Sequence, residues 1–171
     1  MGVLDDTSES VRKVTVKYLA SFGADAIPSL IGALHDEDPL TREGAAISLG
    51  RMAARRPDAI SLLKQEVAPV LLEAIEDPDQ RVRVQAAIAL WRINRLPEQV
   101  LPTLVRAWRE GDCTVRYYAG QGLQQMGPDA KDAVPALVVS LRATWHAVPA
   151  IAPWHIKRGM ALLSEKARPS P

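Results

Sequence analysis

Apolar residues recur along the chain at helical spacing, and the same pattern starts again several times. The clearest instance is DPDQRVRVQAAIALWRI at residues 77–93, where an arginine is followed three, seven and ten residues later by Ala86, Leu90 and Ile93. Spacings of three and four place these positions on one face of a helix. β-Branched residues seldom alternate with polar ones, so the pattern predicts an all-α protein.

The pattern occurs four times when the chain is aligned on four arginines. Each arginine is preceded by an acid six residues earlier and by a helix N-capping residue type four residues earlier. The arginines are Arg12, Arg42, Arg83 and Arg116, and the acids are Asp6, Asp36, Asp77 and Glu110. A preceding helix is marked by Pro28, Pro69 and Pro102. Such helical hairpins must stack, because one hairpin cannot cover its own apolar faces.

The repeats set the expected division of the chain. Residues 1-143 are predicted to form the repeat array with an incomplete first repeat, residues 144-166 a C-terminal cap and residues 167-171 a disordered tail. The longest of the repeat periods is caused by an insertion around residues 54–66 between the two helices of a repeat, which we expect to be a turn. The first repeat lacks most of its first helix, so we expect either a piece of a longer solenoid or an open N-terminal end through which copies associate.

One motif carries a family resemblance: a helix ending in Asp, a short turn, then Val-Arg and a small-residue helix ending in Leu, as in residues 77–93. It resembles the HEAT-repeat family, and the short repeats are similar to the HEAT-like repeats of phycobilin lyase subunits. The resemblance covers about residues 4–141. It implies an α-solenoid, or superhelix, of about four HEAT-like helical hairpins, with the C-terminal cap closing one end.

The resemblance also implies a role for the repeated acids and arginines. In the HEAT-repeat family these residues form a ladder of hydrogen bonds between neighbouring turns, and the planar guanidinium of arginine can bridge two acceptors. A catalytic cluster would occur once, whereas this pair occurs in every repeat. We therefore predict that the four acid–arginine pairs are structural.

Positions that differ between repeats are the candidates for recognition. On the second helix of each hairpin they lie one, five, eight and nine residues after the arginine, and in HEAT-like solenoids these helices line the concave face. Aromatic residues and arginine are frequent binding anchors, and arginine can steer acidic groups. The predicted groove consists of Ile47, Arg51, Val84, Ile88, Trp91, Arg92, Tyr117 and Gln121. The alternative for Trp91 is a place in the core.

Composition narrows the choice of partner and compartment. The 21 Lys and Arg residues nearly balance the 20 Asp and Glu residues, and a net charge of +1 argues against nucleic acid, which requires clustered basic residues. The single cysteine, Cys113, cannot form an internal disulfide, and the N-terminus lacks the features of a signal peptide. No apolar stretch approaches the length of a membrane span. These features predict a cytoplasmic protein that does not bind membranes.

No catalytic residue, cofactor or metal site is predicted, because the three histidines are scattered and no His-Glu pair occurs. The sequence therefore predicts a protein that is not an enzyme, a non-catalytic scaffold that binds a protein or peptide. Three alternatives stay open. They are an auxiliary subunit of a lyase-type enzyme, a DNA-repair protein resembling HEAT-like alkylbase glycosylases, and a structural repeat that forms homo-oligomers end to end.

Overall fold

The computed structural model describes residues 23–135, 137 and 138. Within these residues helices form successive hairpins and no strand occurs. The helices are α1 (Ile27–Leu34), α2 (Pro39–Arg55), α3 (Ala68–Ala74), α4 (Gln80–Asn94), α5 (Pro97–Glu110) and α6 (Cys113–Met126). The fold is an all-α solenoid, as the sequence predicts. The predicted first repeat, C-terminal cap and tail lie outside the described residues.

Carboxylates cap the second helix of each described hairpin at the predicted positions. The side chain of each accepts a hydrogen bond from an amide in the first turn of its helix, at 3.1 Å for Asp38, 2.7 Å for Asp79 and 2.8 Å for Asp112. Such a cap stabilises a helix by about 1 kcal/mol, because it satisfies an amide that has no partner within the helix. The predicted starts of α2, α4 and α6 are confirmed.

The insertion around residues 54–66 is helical, and the prediction of a turn there is wrong. It consists of a 3-10 helix, a short α-helical segment and a π-helix that leads into α3: Pro57–Ala59, Ile60–Leu62 and Leu63–Val67. Leu63 and Val67 are fully buried. Coiling the segment brings these apolar side chains to one face, where they pack against the core. The first helix of this hairpin is therefore extended at its N-terminal end.

The second helices of neighbouring hairpins pack closely because small residues lie between them. Helix α2 makes its most extensive contact with α4, which also packs against α6. A Cβ atom built on Gly50 would lie 3.1 Å from the Cα atom of Ala89, and one built on Gly122 would lie 2.9 Å from Cγ1 of Ile88. Glycine therefore permits an approach that a larger side chain would prevent.

The first helices are less closely packed with one another than the second helices. Helices α1 and α3 share only a small contact, whereas α2 and α4 are in contact along their lengths. In a solenoid the more closely packed layer lies on the inner side of the curve. We therefore call α2, α4 and α6 the inner layer, and α1, α3 and α5 the outer layer.

One ion pair joins neighbouring repeats at a predicted ladder position. Arg42 donates two hydrogen bonds to the carboxylate of Asp77, from Nε at 2.8 Å and from Nη2 at 3.0 Å. The Nη1 atom of Arg42 also donates to the carbonyl oxygens of Asp36 and Glu37 in its own turn, at 2.8 and 2.9 Å. Arg42 therefore ties the turn of its hairpin to the turn of the next one. Residues Asp6 and Arg12 of the first predicted pair lie outside the described residues.

The contact that corresponds to Arg42–Asp77 in the next pair of repeats would join Arg83 to Glu110, and it does not occur within the described residues. Arg83 donates to the carbonyl oxygens of Asp77 and Pro78 instead. Asp77 lies beyond the end of α3, with its carboxylate accepting from the amide of Asp79, whereas Glu110 is the last residue of α5 and its side chain is exposed. The acid of the third hairpin thus lies in a different position relative to its turn.

Arg116 likewise binds its own turn, through Nε to the carbonyl oxygen of Gly111 at 2.7 Å and Nη2 to that of Arg109 at 3.3 Å. Binding of turn carbonyls is therefore shared by Arg42, Arg83 and Arg116. Of these three arginines, Arg42 also contacts a carboxylate of the next repeat. The repeated arginine primarily closes the turn of its own hairpin.

The carboxylate of Asp77 should make the stability of the fold depend on pH. Burial would raise the pKa of Asp77, but hydrogen bonds from Arg42 and the Asp79 amide, with the charges of Arg42 and Arg83, lower it below its usual value. A lowered pKa in the folded state stabilises the fold above the unfolded pKa of about 3.9, and this contribution is lost as the pH falls through the folded pKa.

We therefore expect the difference in unfolding free energy between the wild type and Asp77→Asn to be constant near neutral pH and to shrink below about pH 4. Urea denaturation at a series of pH values measures it. A Glu73→Gln variant, which changes an exposed carboxylate of the same hairpin, controls for the loss of one charge. A difference that persists unchanged into acid would contradict the assignment of the ionised carboxylate to this pair.

Candidate functional site

The residues predicted at the centre of the groove are buried in the structure. Val84, Ile88 and Trp91 have exposed fractions of 0%, 4% and 2%, so their prediction as groove-lining residues is wrong. The physical reason is the position of α4, which is packed between α2 and α6 in the inner layer and covered from behind by α3 and α5. Ile88 contacts the position of Gly122 on α6 directly. For Trp91 the core alternative is the correct one.

The other predicted groove residues are at least partly accessible, and they lie on both sides of α4. Ile47 and Arg92 are partly buried, and Arg51 and Gln121 are exposed. Tyr117 on α6 is half exposed, at 50%. The surface that remains available for recognition is therefore more polar than the sequence predicts.

Tyrosines and a glutamine form a polar aromatic patch on α6. The ring of Tyr117 lies 5.6 Å from that of Tyr118, centroid to centroid, and the Nε2 atom of Gln121 donates a hydrogen bond to the hydroxyl of Tyr117 at 2.9 Å. Tyr117 and Gln121 are one helical turn apart, which explains their contact. Tyrosine combines apolar area with a polar tip, so this patch is suited to a protein contact.

A second feature of the inner layer is a group of arginines at the ends of α2 and α4. Arg92 donates from Nε and Nη2 to the Oε1 atom of Gln125 on α6, at 3.0 and 2.7 Å. The guanidinium of Arg95 lies over the ring of Trp91, with Cζ 5.2 Å from the ring centroid. Burial, with the nearby charges of Arg51 and Arg95, lowers the pKa of Arg92 from its usual value. We call Arg51, Arg92 and Arg95 the arginine cluster.

Sequence reasoning missed Arg95, because it lies beyond the four variable columns and beyond the end of α4. It adopts a left-handed conformation at the helix C-terminus with φ 57°, a conformation that is usually taken by glycine. A compositional signal was present, since α4 contains three arginines and no acid between Gln80 and Asn94. The excess of positive charge on one helix could have identified the cluster.

No group of three or more His, Cys, Asp or Glu side chains that could hold a metal ion occurs among the described residues. The helices of residues 23–135, 137 and 138 also include none that is long and apolar enough to cross a bilayer. Asp112, which could suggest a catalytic carboxylate, accepts the capping hydrogen bond from Val115. It is thereby assigned to the start of α6.

Helical hairpins that stack on their neighbours place this chain in the class of α-solenoid repeat proteins. Residues 2–67 and 68–152 match the family model of HEAT repeats. The chain belongs to the HEAT-repeat family, in agreement with the resemblance found in the sequence.

A similar curated protein is the uncharacterized phycocyanin operon protein Z of Pseudanabaena tenuis (strain PCC 7409), which is 30% identical over 94 residues. The aligned region is 54% of this chain and 46% of that protein. The chain thus spans about half the length of this relative.

Two solved structures have the same fold. The complex of CpcE and CpcF of phycocyanin lyase from Nostoc sp. PCC7120 gives a TM-score of 0.56 at 20% identity, covering 95% of this chain and 94% of that chain. A crystal structure of an engineered protein from the Northeast Structural Genomics Consortium gives a TM-score of 0.58 at 20% identity, covering 95% of this chain and 76% of that chain. At this identity the likeness shows a common fold.

The comparisons contradict the prediction that the protein is not an enzyme. One structural neighbour is a phycocyanin lyase complex, and the curated relative is a phycocyanin operon protein. The absence of a recognisable catalytic motif in the sequence was an insufficient reason for the prediction, since a subunit can serve an enzyme through binding and positioning alone.

Proposed function

We propose that this protein is a HEAT-repeat subunit of a lyase-related assembly, in which its inner layer binds a second protein. The main support is the likeness over 95% of this chain to a structure in which CpcE and CpcF form a complex. The name of the curated relative, a phycocyanin operon protein, supports the same context. The role of the inner layer and the cytoplasmic location stay predictions.

The accessible chemistry of the inner layer is consistent with a protein partner. Tyr117 presents a half-exposed ring whose hydroxyl is already oriented by Gln121. Arg92 contacts Gln125 of α6, one helical turn beyond Gln121, so the arginine cluster contacts the helix that carries the patch. Rigid aromatic residues next to arginine are typical of binding hot spots, because they lose little conformational entropy on association.

The proposal is tested by mixing the purified protein separately with CpcE, with CpcF and with phycocyanin, and measuring complex mass by chromatography with light scattering. Bilin transfer to phycocyanin is measured in parallel, with and without the protein. We expect a stable complex with at least one of these proteins and a change in the rate of bilin transfer. Absence of both effects would refute a lyase-related role.

The surface is tested with Tyr117→Ala, which removes the exposed ring of α6. We expect complex formation to weaken by about tenfold, the effect of losing about 1.4 kcal/mol at an interface. Leu72→Ala on the outer layer is the matched control, because Leu72 is also a large apolar side chain, with 39% exposed. Equal weakening by both variants would exclude the inner layer as the specific surface.

A further inference from the structure

Within the described residues, the arginine cluster combines two properties: no carboxylate pairs with its arginines, and these arginines lie near one another. Within residues 23–135, 137 and 138, ion pairs join Arg42 to Asp77, Arg56 to Asp58 and Arg106 to Glu76. Over the same residues, no carboxylate pairs with Arg51, Arg92 or Arg95. Within the described part of the chain, three positive charges therefore lie near one another with no acidic side chain paired to them.

The geometry of the cluster brings these charges together. The Nη1 atom of Arg92 lies 3.2 Å from the position of a Cβ atom built on Gly50, so Arg92 crosses from α4 onto α2 beside Arg51. Arg95 is turned back over Trp91 by its left-handed backbone. Such a conformation costs about 1–2 kcal/mol in a residue other than glycine and is concentrated at functional sites.

The polar groups at this site are hydrogen-bond donors, and no negatively charged acceptor binds them among the residues that the structure describes. Arg92 donates from Nε and Nη2, the guanidinium edge that can bind both oxygens of a carboxylate, to the single neutral Oε1 atom of Gln125. The Nε1 atom of Trp91 is buried and has no hydrogen-bond partner within the described residues. Like charges and burial both disfavour a protonated Arg92, so an added anion would be stabilised here.

Stabilisation of the helix ends does not explain the cluster. Basic residues near a helix C-terminus interact favourably with the helix dipole, by about 0.3–1 kcal/mol. Helix α6 ends in the same inner layer with Gln124 and Gln125 at the columns that hold Trp91 and Arg92 in α4. The inner layer thus forms a stable helix end without arginine at these columns, and the charges of α2 and α4 need another explanation.

We infer that the arginine cluster is the docking site for a glutamate- or aspartate-rich segment of the protein partner. The inference rests on the proposed function and names the chemistry of the partner. A protein segment fits better than a small anion, because the donors are distributed over two helices and the exposed Arg51 and Arg95 face solvent. Charge complementarity over such a distance requires several carboxylates, which one segment can supply together.

The test uses a short fluorescent peptide rich in glutamate and a matched peptide with glutamine at every glutamate. Fluorescence anisotropy with the full chain at low salt should show binding of the first peptide only. We expect Arg51→Gln and Arg95→Gln each to weaken this binding by about three- to tenfold. Arg81→Gln, which removes an exposed arginine from the first turn of α4, is the matched control and should leave binding unchanged.

A gain of a charge tests the same site in the opposite direction. Gln125→Glu places a carboxylate where Arg92 now meets a neutral amide, so it should raise the melting temperature and weaken peptide binding together. Equal binding of both peptides, equal losses in all three arginine variants, or displacement of the peptide by inorganic phosphate at matched ionic strength would overturn the inference. Complex formation with CpcE, CpcF or phycocyanin, measured separately, decides the proposed function independently of this result.

Discussion

Trp91→Ala is expected to lower the free energy of unfolding by about 3–5 kcal/mol, because removal of a buried tryptophan leaves a cavity that the surrounding helices fill only partly. Trp91 is 2% exposed and belongs to the hydrophobic core. The substitution also removes the ring beneath the guanidinium of Arg95. Urea denaturation followed by far-UV circular dichroism measures the loss without relying on tryptophan fluorescence.

Two further variants separate packing from surface effects. Trp91→Phe retains most of the apolar volume and removes the Nε1 donor, which has no hydrogen-bond partner within the described residues, so it should cost less than Trp91→Ala. Tyr117→Ala removes an aromatic ring of similar size from a half-exposed position and should change stability by about 0.5 kcal/mol or less. A Trp91→Ala protein as stable as the wild type would show that the indole is outside the core.

Much of the fold could be predicted because helix caps and apolar positions recur together at the same spacing in each repeat. The caps Asp38, Asp79 and Asp112 fix the starts of three helices, and the apolar columns after each arginine fix the faces that they bury. Each signal depends on residues within one hairpin. Local information is sufficient when the same unit recurs and its neighbours pack in the same way.

The centre of the groove could not be predicted, because exposure on the inner layer depends on how closely neighbouring helices approach. Variation between repeats at Val84, Ile88 and Trp91 suggested recognition, but all three side chains are buried. Gly122 opposite Ile88 and Gly50 beside Ala89 allow α4 to lie closely between α2 and α6. Small residues on the facing helices were the sequence signal for close packing. The sequence alone does not give the distance between the helices, which decides whether α4 is covered.

The acid–arginine ladder also shows that spacing in the sequence does not by itself predict which polar side chains meet. The spacing of acid and arginine is identical for Asp77 and Glu110, yet Asp77 lies in a turn and Glu110 ends a helix. One extra methylene and a different backbone position remove the contact with Arg83. Agreement between the aligned repeats therefore predicts which residues belong to the turns. The partner of each arginine side chain depends on where the preceding helix ends.

Breaking the inter-repeat ion pair is expected to have the second large effect. Arg42→Ala removes two of the donors to the carboxylate of Asp77 and leaves it with the amide of Asp79, and Asp77→Ala leaves the guanidinium with carbonyl partners alone. The side chains are 13% and 9% exposed, so each single substitution should lower the free energy of unfolding by about 3 kcal/mol. Chemical denaturation of the two variants and of the double variant completes a double-mutant cycle.

The coupling energy from this cycle should be about 1–3 kcal/mol, because the double variant removes both charges and leaves neither one unpaired. Arg56 and Asp58 form a natural control pair, since their N–O distance is also 2.8 Å while their side chains are 47% and 64% exposed. Their coupling should be too small to detect, because water screens the charges. Equal coupling in both pairs would contradict the view that burial between neighbouring hairpins makes Arg42 and Asp77 a specific fastening of the solenoid.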